Sequence, residues 1–241
     1  MFSRRRARHM RGMTDVSSPS MSIPDVTADA TARYENNSHS GATWNDLTPL
    51  PANGTDGGTP GFWPNFDGVS WVTLDASIPN KLNFAGAYTI QTWAQQSPDV
   101  PVQGNERIIS RDPNGGIRSY LIMNSDNNGQ VTYYSWDGAT ANNAQTGAAP
   151  AMGVWYHFAA VNEGPGGDLI IYRNGLVSGT GVGKGGVPNY DATTPVEFGR
   201  IQSGSPDDYW TGQIDTGRFY NRALSADEIL RDYNAGISAH S

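Results

Sequence analysis

Residues 155–161 read Trp-Tyr-His-Phe-Ala-Ala-Val, and both alternating faces of this segment are largely apolar. Successive side chains of a β-strand point to opposite faces of its sheet, so such a strand belongs in the middle of a sheet that is covered on both sides. We therefore expect Trp155 and Phe158 to be core residues. We expect His157 to be packed and hydrogen-bonded rather than to bind a ligand.

Similar short segments recur from about residue 31, separated by clusters of Gly, Asn, Asp and Pro. Asn174-Gly175 joins two of them and predicts a type I′ hairpin turn, in which both residues have positive φ. A chain of 241 residues with ten or more such strands is typical of an all-β, two-sheet antiparallel sandwich. The predicted strands are Thr31–Glu35, Val69–Leu74, Tyr88–Gln95, Glu106–Ser110, Arg118–Met123, Gln130–Trp136, Trp155–Val161, Leu169–Arg173, Pro195–Gly199 and Tyr209–Tyr220.

One short helix is predicted near the C-terminus. Ser225-Ala226-Asp227-Glu228 has the pattern of a capping box, and Gly236 is expected to end the helix. We expect this helix to cover one end of the sandwich, with Leu224, Ile229 and Leu230 in the core.

Six phrases, in this order and spacing, resemble the laminin G-like branch of the concanavalin A-like lectin/glucanase superfamily. They are Tyr-Thr-Ile-Gln-Thr-Trp at 88–93, Ile-Ile-Ser-Arg at 108–111, the segment 155–161, Ile-Tyr-Arg-Asn-Gly at 171–175, Gly-Gln-Ile-Asp at 212–215 and Tyr-Asn-Arg-Ala-Leu-Ser at 220–225. The resemblance covers about residues 31–237 and implies a jelly roll of two curved antiparallel sheets. The strand pattern leads independently to the same architecture.

Charge is distributed unevenly along the chain. The formal net charge is −7, but five arginines fall in the first thirteen residues, and the remaining 11 cations face 23 acids, a body charge of about −12. We interpret residues 1–28 as an irregular basic arm and residues 29–241 as the sandwich. The arm is either a solvated tail or a segment that docks onto an acidic surface, which is a protein assembly or packaged nucleic acid. Nucleic acid is disfavoured as a partner except through this arm. The candidate docking residues are Arg4, Arg5, Arg6, Arg8 and Arg11.

Several classes of protein are excluded or disfavoured. The chain has no cysteine, which excludes a disulfide framework and a thiolate metal site. No apolar run reaches the ~18 residues of a membrane helix. The basic N-terminus is not followed by the apolar stretch of a signal peptide, so classical secretion is not expected.

Catalytic patterns are also missing. Glucanases of the superfamily use carboxylates that alternate along one strand, typically in a Glu-x-Asp-x-x-Glu run, and this sequence has none. Glu106, Glu197 and Asp215 are each isolated from a second acid at strand spacing. Nucleophile-elbow, His-Glu-x-x-His and phosphate-loop patterns are lacking as well, so we predict that the protein is not an enzyme.

Calcium is the ion that the sequence favours as a cofactor, because related domains often carry one near the rim and loop oxygens are plentiful. The candidate ligands are Asp67 and Asp215, which the resemblance brings close together on neighbouring first and last strands. Alternatively, Asp67 makes an Asx turn and Asp215 binds backbone at a strand bend.

Aromatic residues near strand ends suggest a saccharide site, because such rings stack on the apolar face of a pyranose. Each of them could instead be a lid over the core or an oligomer contact. The candidates are Trp63, Trp136, Tyr190, Tyr209 and Trp210, with Tyr134 beside Trp136.

Two functions remain open after these exclusions. The first is a non-catalytic structural and adhesion protein of a bacteriophage virion, a capsid decoration or head/tail accessory protein. It would dock through the arm on a major structural protein and display the sandwich at the virion surface towards host glycans, most simply as a trimer. The second is a lectin-like carbohydrate-binding module unconnected to a virion, at the cell surface or outside the cell by a non-classical route.

Overall fold

The computed structural model describes residues 32–34, 39–40, 43–44, 54–57, 65–74, 82–99, 105–112, 120–124, 129–190, 194–201 and 208–241. These residues form an antiparallel β-sandwich, as predicted. The strands are β1 (Ala32–Tyr34), β2 (His39–Ser40), β3 (Thr43–Trp44), β4 (Gly54–Gly57), β5 (Asn65–Asp67), β6 (Trp71–Leu74), β7 (Tyr88–Gln96), β8 (Arg107–Arg111), β9 (Tyr120–Asn124), β10 (Val131–Trp136), β11 (Ala141–Gln145), β12 (Trp155–Asn162), β13 (Leu169–Arg173), β14 (Leu176–Gly181), β15 (Glu197–Phe198), β16 (Thr211–Ile214) and β17 (Gly217–Tyr220). A helix, α1 (Ala226–Gly236), and a 3₁₀ turn at Ile237–Ala239 follow.

Two sheets contain all of these strands. The first sheet has the order β1-β17-β7-β12-β13-β14, with β16 also paired to β7 and β5 paired to β16. The second sheet has the order β11-β10-β9-β8-β15-β6-β4-β3-β2. Strands distant in the chain are therefore neighbours in space, as in a jelly roll.

The central strand β12 is covered on both faces, as its sequence predicts. Phe158 and Ala160 point into the main core between the sheets. Ala159 and Val161 point to the other side, where they join a second buried cluster. Phe158 is a core residue, but Trp155 is only half-buried, with its ring edge-on to His240.

The C-terminal helix covers the outer face of the first sheet and not an end of the sandwich. Leu224 and Ile229 belong to the second buried cluster with Tyr220, whereas Leu230 is 36% exposed, which corrects its expected place in the core. Leu230 packs instead against the turn between β13 and β14, where its Cδ1 is only 2.7 Å from the place that a Cβ on Gly175 would take.

Both ends of the helix show how local sequence sets its limits. Ser225 Oγ accepts a hydrogen bond from the Glu228 amide, and the Glu228 carboxylate accepts one from the Ser225 amide, so the predicted capping box is confirmed. The guanidinium of Arg222 lowers the pKa of Glu228 to about 2. The α-helix ends at Gly236, as predicted, and a 3₁₀ turn follows it. A Cβ on Gly236 would lie 2.7 Å from Trp93 Nε1, so packing requires the glycine.

The hairpin between β13 and β14 has the predicted turn. Asn174 has φ 53° and Gly175 has φ 79°, the positive values that a type I′ turn needs. β11 was not predicted, because its residues Ala-Asn-Asn-Ala-Gln have low strand propensity. The short strands β2, β3, β4 and β5 were not predicted either, and the single predicted strand Tyr209–Tyr220 is two strands, β16 and β17.

The edges of the two sheets come together where β14 crosses β11. A Cβ on Gly179 would lie 1.8 Å from the Gln145 carbonyl oxygen, and one on Gly181 would lie 2.3 Å from that of Asn143. Only residues without a side chain allow the two backbones to approach so closely. These glycines therefore close this side of the sandwich.

His157 is a buried titratable group of the outer face. Its ring packs between Trp93 and Tyr233, at centroid distances of 5.3 and 6.2 Å. The expected packing is confirmed, but neither ring nitrogen has a hydrogen-bond partner among the described residues. Burial lowers the pKa of His157 to about 3, with further lowering by the charges of Arg218 and His240.

Gly179→Ala is expected to lower the free energy of unfolding by about 1–3 kcal/mol, because the new methyl group overpacks the contact between β14 and β11. Gly86→Ala is the matched control, since nothing lies within 4 Å of a Cβ there and its φ is not positive. Urea denaturation of both variants measures the difference. Equal stability of the two variants would contradict the close approach.

His157→Leu is expected to make stability less dependent on pH. Below pH 6.5 the unfolded chain takes up a proton at His157 that the folded chain, with a pKa of about 3, does not bind. This group therefore destabilises the wild type as pH falls from 6.5 to about 3, by at most about 1.4 kcal/mol per pH unit. Urea denaturation across this range measures the slope, and an unchanged slope in the variant would show that His157 is not the group responsible.

Candidate functional site

A cleft of about 420 Å³ opens at one end of the sandwich, where β5 and β7 end and β16 begins. Its floor is buried, and its walls are half-buried or exposed. The described residues that line it are Phe66, Asp67, Gln95, Ser97, Pro98, Asp99, Thr211, Gly212 and Gln213.

Strand register explains why these segments meet. β16 lies between the two other strands, and it pairs Thr211 with Asp67 of β5 and Gly212 with Gln96 of β7. Gly212 has φ 147°, and a Cβ there would lie 2.1 Å from the Gln95 carbonyl oxygen. The glycine therefore permits the close backbone approach that forms the floor of the cleft.

Carboxylate and amide oxygens of three lining residues offer the cleft hydrogen-bond acceptors that described residues do not use. Asp67 Oδ1 accepts hydrogen bonds from the amides of Val69 and Ser70, at 3.1 and 2.9 Å, while Oδ2 bonds to none of the described residues. The Asp99 carboxylate likewise makes no hydrogen bond to the described part of the chain. Gln95 donates its amide to the Gly153 carbonyl at 2.9 Å, which leaves Oε1 as an acceptor.

Buried polar pairs lie beside the cleft, where β7 ends and β8 begins. Gln96 donates to Glu106 at 3.3 Å, and Arg107 pairs with Asp208 at 3.2 Å. The side chain of Arg107 is only 5% exposed. Asp208 therefore balances this buried cation within the protein.

The family model of the concanavalin A-like lectin/glucanases superfamily matches residues 66–230, which include every described residue of the cleft. The chain belongs to this superfamily. No curated protein sequence matches it. The predicted resemblance is thus confirmed for the sandwich, from its cleft to its C-terminal helix.

Solved structures with the same superfamily architecture include receptor-binding domains. The binding domain of botulinum neurotoxin DC, in complex with rat synaptotagmin II, has a TM-score of 0.64 and 13% identity, covering 87% of this chain and 52% of that chain. A botulinum neurotoxin type C structure, described with a cell entry that depends on two ganglioside molecules, has a TM-score of 0.60 and 14% identity, covering 87% and 52%. Trypanosoma rangeli sialidase in complex with sialic acid has a TM-score of 0.59 and 15% identity, covering 84% and 32%.

At these identities the similarity shows the shared lectin-like fold alone. This concanavalin A-like chain spans about half the length of the toxin binding-domain chains that it matches.

Two of the predicted aromatic residues lie next to the cleft. Tyr209 is half-buried, and its ring packs edge-on against Trp71 at 6.0 Å. The Arg200 guanidinium sits 3.6 Å from the centroid of the Trp71 ring. Trp210 is 1% exposed and belongs to the main core, so the structure corrects its predicted role: a buried ring cannot stack on a ligand.

Two other predicted aromatics lie at the opposite end of the sandwich. The Tyr190 hydroxyl accepts a hydrogen bond from the Phe84 amide at 2.8 Å, and the Arg111 guanidinium lies 4.7 Å from its ring centroid. This half-buried ring packs against the main core, as the lid interpretation predicts. Trp136 is half-buried on the outer face of the second sheet, and its carbonyl accepts a hydrogen bond from Asn189.

Other candidates lie outside the described residues. These are Trp63 and the basic residues of the 1–28 arm, Arg4, Arg5, Arg6, Arg8 and Arg11. Their roles stay predictions. No helix in the described part of the chain is long and apolar enough to cross a membrane.

The predicted calcium ligands do not converge on one point. Asp67 lies opposite Thr211, whereas Asp215 comes four residues later, about 13 Å away at the usual strand rise. Asp67 makes the Asx-type turn of the alternative interpretation, and Asp215 Oδ2 lies 2.6 Å from His240 Nε2. The described residues hold no group of three metal-binding side chains, and this pair does not fit a shared ion.

The acids expected near strands are engaged by separate partners. Glu106 bonds to Gln96, and Glu197 accepts hydrogen bonds from Thr73 and Arg200. Thr73 and Ser110, opposite Glu197 on the two neighbouring strands, carry no carboxylate. The geometry around Glu197 therefore lacks the paired acids of a glucanase of this superfamily.

Asp215→Ala is expected to lower the free energy of unfolding by about 1–3 kcal/mol, because it removes an acceptor from the buried His240 ring. Since His240 already engages the Asp215 carboxylate and Asp67 lies about 13 Å away at the usual strand rise, EDTA and added calcium are expected to leave both proteins unchanged. Asp99→Ala is the control, because its carboxylate has no partner among the described residues. Destabilisation of the wild type by EDTA, absent in Asp215→Ala, would instead establish a calcium site at Asp215.

Proposed function

We propose that this domain binds saccharides without transforming them, and that the cleft between β5, β7 and β16 is the site. The observation that supports this most directly is its set of acceptors: Asp67 Oδ2, the Asp99 carboxylate and Gln95 Oε1 lie around one cleft of about 420 Å³. Sugar hydroxyls are donors arranged around a ring, and such acceptors hold them in a fixed orientation. The volume lies within the range of small-molecule sites.

The comparisons support the same class of function. The structural neighbours include toxin binding domains, one of them described with gangliosides, and a sialidase in complex with sialic acid. The separate engagement of Glu106 and Glu197 supports a non-catalytic role for this chain, because no described acid pairs with Glu197 to act as acid and nucleophile.

Single sites of this open kind bind weakly, so we propose that several copies act together. Multivalent display raises avidity without adding any contact at the individual site. The virion hypothesis would supply many copies through a docking arm at residues 1–28. Its test is co-sedimentation of the full chain and of residues 29–241 with the candidate particle, where equal sedimentation would show that the arm does not dock.

Asp99→Ala and Gln95→Ala are each expected to weaken saccharide binding about tenfold, because each removes an acceptor from the cleft. The measurement is glycan-array binding of the multivalently displayed protein, followed by calorimetry with the best glycan. Asp227→Ala is the control, since this exposed acid lies on α1, away from the cleft.

Binding that survives both cleft variants would place the saccharide site elsewhere on the domain. No binding to any glycan would contradict the proposed function.

A further inference from the structure

The cleft carries negative charge without a compensating cation. Of its nine described lining residues, Asp67 and Asp99 are acidic and none is Lys or Arg. Both acids are exposed, and neither forms a salt bridge with a described residue. The electrostatic field in the cleft is therefore that of two carboxylates, whose charge no described residue neutralises.

Two described cations near the cleft are each paired with an acid. Arg107 is bound to Asp208, and Arg200 is bound to Glu197 at 2.7 Å while its guanidinium covers Trp71. Neither side chain is among the described residues that line the cleft.

The sequence that continues from the cleft segments adds no cation. Residues 61–64, 100–104 and 202–207 directly adjoin the described lining segments in the chain, and they contain no Lys or Arg and one acid, Asp207. Residues 14–241 are also strongly acidic, with 11 cations against 23 acids.

We infer that the cleft selects uncharged saccharides and discriminates against those that carry a carboxylate. This inference rests on the proposed function and specifies its ligand class. A ligand carboxylate would meet the like charges of Asp67 and Asp99, and it has no proton to donate to these carboxylates or to Gln95 Oε1. Sugar hydroxyls, in contrast, can donate hydrogen bonds to the same acceptors.

The inferred preference separates this chain from two of its structural neighbours. One of them is described with ganglioside molecules and another with sialic acid. Charge at a site is set by a few side chains and changes without any change of fold. A shared sandwich is therefore compatible with ligands of opposite electrostatic character.

The test compares three forms of one ligand. The uncharged glycan that binds best is converted to its uronic acid and then to the methyl ester of that acid, so that the acid and the ester differ mainly in charge. For the wild type, the acid is expected to bind at least about fivefold more weakly than the ester at low salt, from the repulsion of two nearby carboxylates. This ratio should shrink at about 1 M salt, where the Debye length is about 3 Å.

The double variant Asp67→Asn/Asp99→Asn removes both charges. The amide carbonyl that replaces the Asp67 carboxylate keeps an acceptor for the Val69 and Ser70 amides, so the turn is preserved. The ratio of acid to ester affinity should fall below about twofold in this variant. Asp137→Asn/Asp227→Asn is the matched control, because it changes the net charge equally, and Asp137 also caps a turn through the amides of Ala139 and Thr140.

Equal affinity of the wild type for the acid and the ester would overturn the inference. So would an affinity ratio of ester to acid in Asp67→Asn/Asp99→Asn that equals the wild-type ratio, or a loss of the preference for the ester in the control Asp137→Asn/Asp227→Asn. In each of these cases saccharide binding itself would stand. If no glycan bound at all, the proposed function would fail and the charge preference would fail with it.

Discussion

The antiparallel pairing of β7 with β12 is the interaction on which the rest of the structure depends. It joins eight residue pairs, from Tyr88 and Asn162 at one end to Gln95 and Trp155 at the other. Both strands are buried on both faces over most of this length, because the second sheet covers one side and α1 covers the other. Loss of either cover would expose a continuous apolar surface to water.

The same pair of strands determines where the cleft lies. β7 continues beyond the pairing into Gln96 and the segment 97–99, and this extension provides one wall of the cleft. The floor is added by β16, which lies against β7 only because Gly212 has no side chain. The candidate site is thus placed by the rigid centre of the first sheet, while its acceptors lie on the strand ends and loops around it.

Polar groups are distributed differently at the two ends of the sandwich. At the end near Tyr190, buried polar side chains have partners within the protein. The Tyr133 hydroxyl donates a hydrogen bond to the Tyr88 hydroxyl at 2.6 Å, and the Asn162 side chain bonds to the Gly186 backbone. Burial raises the pKa of both tyrosines, so they stay neutral hydrogen-bonding groups. At the cleft end, the Asp67 and Asp99 carboxylates keep acceptor atoms that described residues do not use. Because these two carboxylates are exposed and line a cleft, they favour the cleft end as the place where a ligand binds.

Local and periodic features were determined by the sequence alone. The two-faced apolar pattern of residues 155–161 predicts a central strand, Asn174-Gly175 predicts the turn, and Ser225 with Glu228 predicts the start of the helix; each depends on neighbours within a few residues. Strand registers and close approaches between distant segments were decided only by the tertiary structure. In the tertiary structure Trp210 is buried and Asp215 contacts His240, while Asp67, Gln95 and Asp99 lie around one cleft. These contacts link residues far apart in the chain and depend on β16 lying between β5 and β7, so the sequence alone does not predict them.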